Sequence, residues 1–147
     1  MVDAPPGADA FLLFGATGDL ARKKLFPALY ELTREGRADM PIVGIARSDW
    51  DDDDLRNRAR ESVREKLGDD VDGAALDALC NRLRYLAGDY TDASTWTRVA
   101  ELTEGAKVPV SFLAIPPSLF DDVVEGMAGV GMTDRGRVVV ELSLIHI

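Results

Sequence analysis

The stretch Ala10-Phe11-Leu12-Leu13-Phe14-Gly15-Ala16-Thr17-Gly18-Asp19-Leu20-Ala21 decides the reading of this chain. Five apolar residues make a strand of the buried type, a glycine turn follows, and an amphipathic segment begins at Leu20. A strand, a glycine turn and a helix in that order build a pocket for a nucleotide pyrophosphate. Gly15 is expected where the turn is too tight for a Cβ. Gly18 clears the path along which backbone approaches phosphate, and Ala21 is small enough for the helix to lie against the sheet. The helix N-terminus offers unpaired N–H groups and a partial positive charge to the anion. A bare Gly-x-x-Gly is ordinary turn punctuation. Its weight here comes from the strand before it, the helix after it and a second strand a helix-length later.

Outward from that turn the pattern repeats. Leu20, Leu25, Leu29 and Leu32 recur at helical spacing up to Gly36, a C-terminal cap. Pro27 inside that segment cannot donate to the turn before it, so it kinks the helix or marks its effective start. Residues 41–46 form a second strand. The run Asp51–Asp54 opens a helix to Leu67, closed by Gly68, and reads as capping rather than as a cation site. A helix over 74–80, a strand over 83–86, a helix over 94–103, a strand over 108–115, a helix over 119–127 and a strand over 138–141 complete the alternation. Apolar strands alternating with helices predict an α/β fold with a doubly wound parallel sheet of Rossmann type. The expected strand order is 3-2-1-4-5, with the ligand at the carboxyl ends of strands 1 and 4. Residues 10–141 are expected to be the nucleotide-binding domain, preceded by a flexible N-terminus over 1–9 and followed by an atypical tail over 142–147.

Composition sets outer limits. The chain has 147 residues, of which 46% are hydrophobic, so global disorder is excluded. Its net charge of −9 argues against nucleic acid or an anionic membrane as partner. Cys80 stands alone, which excludes a disulfide framework and suits a reducing cytoplasm. The first nine residues are acidic and proline-rich, unlike a signal peptide. No apolar run approaches the roughly 18 residues of a membrane span.

The tip of the second strand discriminates between cofactors. A site for NAD usually places Asp or Glu there, accepting from the ribose hydroxyls. Here Arg47-Ser48 follows the strand, and a guanidinium suits a ribose 2′-phosphate that an acid would repel. NADP is the expected cofactor. NAD stays possible if Asp49 turns inward as a ribose acceptor, and the plainer role of Arg47 is that of a solvated surface arginine.

Four segments together resemble the glucose-6-phosphate dehydrogenases. They are Gly15-Ala16-Thr17-Gly18-Asp19-Leu20-Ala21-Arg22-Lys23-Lys24-Leu25-Phe26-Pro27-Ala28-Leu29, Ile42-Val43-Gly44-Ile45-Ala46-Arg47, Phe112-Leu113-Ala114-Ile115-Pro116-Pro117 and Arg137-Val138-Val139-Val140-Glu141. The resemblance implies oxidation of glucose 6-phosphate to its lactone by hydride transfer to NADP. It implies that Gly15, Ala16, Thr17, Gly18, Asp19 and Leu20 bind the pyrophosphate and that Arg47 and Ser48 bind the 2′-phosphate. Asp89 and Tyr90 would sit beside the adenosine half. Ala114, Pro116 and Pro117 would approach the nicotinamide half, and Glu141 would lie in the strand leading to a Glu-Lys-Pro motif. Lys24 would reach the sugar phosphate as a mobile point charge. The plainer roles are a solvated face for Arg22, Lys23 and Lys24, and a strand terminator for Pro116-Pro117.

The sequence leaves the family pattern at Leu142, where lysine, proline and glycine would follow Glu141. The resemblance therefore implies that a sixth strand, a base and a second domain completing the site and a homo-oligomer are missing. His146, the single histidine, lies in the atypical tail with no orienting carboxylate and is not assigned as the base. The expectation is cofactor binding without turnover. One alternative is an extended short-chain dehydrogenase or epimerase, which also opens with Gly-Ala-Thr-Gly. Such enzymes carry a Tyr-x-x-x-Lys pair, whereas Tyr30, Tyr85 and Tyr90 are followed four positions later by Arg34, Asp89 and Ser94. A non-catalytic nucleotide-binding domain is the other.

Overall fold

Strand β1 (Ala10–Phe14) runs through the middle of a parallel sheet with β2 (Ile42–Ala46) on one side and β4 (Pro109–Leu113) on the other. The structure is a computed structural model that describes residues 9–131, and the backbone of 137–140. The expected N-terminal segment before Asp9, Glu141 and the tail 142–147 lie outside the described residues. The sheet order is β3-β2-β1-β4-β5, with β3 at Leu83–Ala87 and β5 at Arg137–Val140, as the alternation predicts.

Burial follows from the period of two along β1. Phe11 and Leu13 face helices α1 (Phe26–Arg34), α2 (Asp52–Leu67) and α3 (Gly73–Asn81). Leu12 and Phe14 face α4 (Ala93–Leu102) and α5 (Phe120–Gly129). Because both faces are covered, β1, β2 and β4 are buried along their whole length. Strand β3 differs from its central neighbours: Leu83 and Leu86 are buried while Arg84 is exposed.

That exposed edge is covered by side chains instead of a neighbouring strand. Asp52 accepts the Tyr85 N–H at 2.7 Å, Arg56 donates to Leu83 O at 3.0 Å, and Arg98 donates to Ala87 O at 3.2 Å. The acidic run before α2 acts as capping. Asp51 accepts from Asp54 N–H at 2.9 Å and Asp54 accepts from Asp51 N–H at 3.0 Å, a reciprocal capping box.

The sequence places a helical segment between Leu20 and Gly36 with Pro27 kinking it or marking its effective start, and the structure divides the segment there. Ala21–Leu25 winds as a π turn, with the Phe26 N–H reaching back to Ala21 O, and α1 begins at Phe26 with Pro27 in its first turn. The physical reason is Pro27, which has no N–H to close the ordinary turn, so the chain widens just ahead of it.

Candidate nucleotide-binding site

The glycine loop, Arg47, Ser48, Asp89 and Ala114 follow the carboxyl ends of β1, β2, β3 and β4. Gly15 leaves β1 with φ +85°, and a Cβ there would lie 2.2 Å from Ala114 O at the end of β4. No L side chain fits that approach. Its N–H is directed to Ile45 O at 2.8 Å and to the Tyr90 hydroxyl at 3.0 Å, and that hydroxyl itself donates to Ile45 O at 3.1 Å. The first turn of the loop is thus pinned to β2 and to the segment after β3.

Gly18 is different in kind. A Cβ there would meet nothing closer than Gly15 O at 3.4 Å, so packing does not demand glycine. That single ordinary contact leaves the position uncrowded, as a loop meant to let a ligand approach requires. Arg22 N–H makes the first helical bond, to Gly18 O at 3.2 Å. The amides of Asp19, Leu20 and Ala21 precede that bond and form the helix's positive end. Ala16 and Ala21 are fully buried, so they contribute backbone and close packing. The Asp19 carboxylate is 82% exposed and lies 4.0 Å from Arg22.

Tyr90 departs from its expected position beside the adenosine half. It is 5% exposed and lies under the glycine loop, its ring against Phe14 and Trp96. The Trp96 indole N–H donates to Tyr90 O at 2.8 Å. Burial pushes the Tyr90 phenol up to about 12, with the Gly15 N–H pulling in the other direction.

Arg47 projects from the end of β2 with its side chain 75% exposed, and its guanidinium lies 3.8 Å from Asp89 after β3. Two hydrogen bonds from Thr91, and then the Arg47 charge, hold the Asp89 carboxyl below the usual range. Ser48 donates from its hydroxyl to Thr17 Oγ1 at 3.1 Å, tying the arginine turn to the glycine loop. Asp49 lines a groove outside β3 together with Trp50, Asp52, Tyr85 and Arg98. On the other flank Ala114 N–H bonds to Phe14 O at 2.9 Å, and Pro116 and Pro117 stand exposed where a short 3₁₀ turn begins.

Lys24 sits on the π turn and lines a cavity of about 360 Å³ with Pro27, Ala28, Glu31, Lys66 and Leu67. Arg22 pairs with Glu65 at 3.4 Å, which makes it part of the solvated face.

Two contributors escaped the sequence reading. Tyr85 shares its hydroxyl proton between Ser48 O at 2.6 Å and Ala46 O at 3.1 Å. Gly44 gives room to Ala16 and Leu55, whose atoms would come within 2.9 Å of a Cβ on it. A glycine inside a strand is the signal that could have found the second. Among the described residues no cluster of His, Cys, Asp and Glu could hold a metal ion. No helix among them is long and apolar enough to cross a membrane.

The fold and its loop find counterparts among known proteins. Residues 12–144 match the family described as glucose-6-phosphate dehydrogenase, NAD binding domain. Glucose-6-phosphate 1-dehydrogenase 1 of Mycobacterium tuberculosis (strain H37Rv) is 44% identical over 147 residues, covering 99% of this chain and 31% of its own length. Glucose-6-phosphate 1-dehydrogenase of Dickeya dadantii is 34% identical, covering 90% of this chain and 28% of its own. The crystal structure of glucose-6-phosphate 1-dehydrogenase from Mycobacterium avium superposes with a TM-score of 0.85 at 42% identity, over 91% of this chain and 29% of that one. A glucose-6-phosphate dehydrogenase in complex with its substrate glucose-6-phosphate superposes with a TM-score of 0.77 at 29% identity, over 90% of this chain and 30% of that one. This chain therefore spans less than a third of the length of these relatives. The matches favour this family over the extended short-chain dehydrogenases.

Proposed function

The chain belongs to the glucose-6-phosphate dehydrogenase family, within its NAD binding domain, and on that premise we propose that residues 10–141 bind NADP. The observation that carries the proposal is the pairing of an open glycine loop with an exposed arginine at the next strand end. The amides after Gly18 take the pyrophosphate. Arg47, with Ser48 beside it, takes the 2′-phosphate by charge-assisted bonds. Asp89, already within reach of Arg47, serves the adenosine ribose. Ala114, Pro116 and Pro117 present backbone and ring surface to the nicotinamide half, and Glu141 belongs to the strand after them.

The wider reading concerns a longer protein of this family. There the sugar substrate is glucose 6-phosphate and the product its lactone. Bound NADP supplies the hydride-accepting ring, while the protein supplies position and a base. Lys24 contributes charge to the sugar phosphate. The relative solved with glucose-6-phosphate supports that substrate. A homo-oligomer in the cytoplasm belongs to the same proposal. No described residue is given the role of base, and His146 lies outside the described residues.

Calorimetric titration of the 147-residue chain with NADP and with NAD tests the core of the proposal. Saturable binding of NADP, tighter than that of NAD, is expected. Folded protein that binds neither dinucleotide would overturn it, and following NADPH absorbance with glucose 6-phosphate present would expose any turnover.

A further inference from the structure

We propose that Tyr85 is a positioning residue that sets the preference for NADP over NAD by fixing the backbone on which Arg47 stands. This rests on the reading that Arg47 takes the 2′-phosphate.

The Arg47 side chain has little to orient it. Its side chain is 75% exposed, and its one ion pair among the described residues, with a 46% exposed Asp89, is 3.8 Å long. Surface pairs of that kind contribute little and do not hold a long side chain in one place. The direction of Arg47 must therefore come from its main chain. That main chain is tied down at both flanks by a single atom. The Tyr85 hydroxyl shares its single proton between Ser48 O at 2.6 Å and Ala46 O at 3.1 Å, the carbonyls on either side of Arg47. Trp50 N–H also donates to Ser48 O, at 2.9 Å, which makes the turn compact.

The tyrosine is itself held at both ends. Its backbone N–H donates to Asp52 at 2.7 Å, and its ring lies 6.0 Å from that of Trp50. A phenol so anchored acts as a rigid strut between the edge strand and the arginine turn. Losing it leaves the guanidinium in place but lets its base wander, which weakens a directed bond to phosphate. NAD, without the 2′-phosphate, draws nothing from that bond. The consequence is selective, and selectivity separates this role from simple filling of space beside Trp50.

The test compares wild type, Tyr85→Phe, Arg47→Ala and the double variant, each titrated with NADP and with NAD. Tyr85→Phe keeps the ring and removes the donor, so its NADP dissociation constant should rise roughly three- to tenfold, the range of one net hydrogen bond. Its NAD constant should stay within about twofold. In the Arg47→Ala background the same change should leave the ratio of the two constants where Arg47→Ala put it. Trp50→Phe, which disturbs the packing and spares the hydroxyl, should leave the ratio at the wild-type value. If Tyr85→Phe does not fold, Tyr85→Met, which removes the ring with the donor, is read against Trp50→Phe as the packing control: a selective loss of NADP that Trp50→Phe does not share supports the role, and equal weakening of both dinucleotides overturns it. Equal weakening of both dinucleotides, or an unchanged ratio, overturns the role of Tyr85. Unchanged NADP binding in Arg47→Ala overturns the phosphate reading itself and the strut with it. A wild type that binds neither dinucleotide does the same one level further down.

Discussion

The glycine loop and the arginine turn lie side by side at one end of the sheet, and they are built in opposite ways. The loop is fixed from beneath by buried groups: Tyr90 at 5% exposure, Trp96 behind it and Ala114 O pressed against Gly15. The turn carries a charged side chain that is 75% exposed and is steadied from the side by Tyr85. The loop presents backbone amides, which must be in register before the ligand arrives and gain from rigidity. The turn presents a side chain, which can follow the ligand as long as its root stays put. Affinity for any dinucleotide is thus expected to reside in the first region and discrimination in the second.

Gly15→Ala attacks the first region and carries the largest expected effect. It demands φ near +85° from an alanine and places a Cβ 2.2 Å from Ala114 O. Strain and overpacking together should cost roughly 3 kcal/mol or more, seen as a large drop in thermal midpoint and loss of binding to both dinucleotides. Arg47→Ala comes next and should separate stability from specificity. Removing a charge-assisted contact should lower NADP affinity by roughly ten- to a hundredfold, while NAD affinity and the melting curve stay unchanged. A parallel loss of NAD affinity would break the comparison.

Tyr90→Phe is a milder probe of the loop. Gly15 N–H keeps its bond to Ile45 O, so the cost should be about 1 kcal/mol, or about 2–4 °C in melting temperature. Both dinucleotides should weaken together, in contrast to the selective effect expected for Tyr85→Phe. A further effect is confined to alkali. The Tyr85 and Tyr90 phenols are both pushed up to about 12 in the folded protein from an ordinary 10.0, chiefly by burial. The folded state then keeps protons that the unfolded state releases, so stability is intact below pH 10 and falls as pH rises from about 10 to about 12. Urea midpoints measured across that window should show Tyr90→Phe declining less steeply than wild type.

The central strands and the glycine loop were legible in the sequence because each rests on a local rule. Phe11 to Phe14 are apolar without interruption, which is the signature of a strand covered on two sides. Gly15 stands where the chain must turn with no room for a side chain. Arg47 was legible because charge type and strand position alone raise it as a candidate. What escaped depended on contacts between segments distant in sequence. Tyr85 lies 37 positions from Ser48, and its hydroxyl bond to that carbonyl has no local signature. The resemblance puts Tyr90 beside the adenosine half, yet the turn after β3 carries its ring under the glycine loop, 75 positions earlier. The π turn was hidden for a different reason. Leucine spacing reports which face is buried, and the extra residue per turn ahead of Pro27 shifts that spacing too little to be noticed.

The outer edge of β3 has a consequence for the molecule among its own copies. A bare strand edge offers a row of donors and acceptors on which another chain can begin to polymerise. Here a carboxylate from Asp52 and two guanidinium groups, from Arg56 and Arg98, have already taken Tyr85 N–H, Leu83 O and Ala87 O. An incoming extended segment would have to evict these charged gatekeepers to complete a ladder, so fibrillar growth is discouraged from this side.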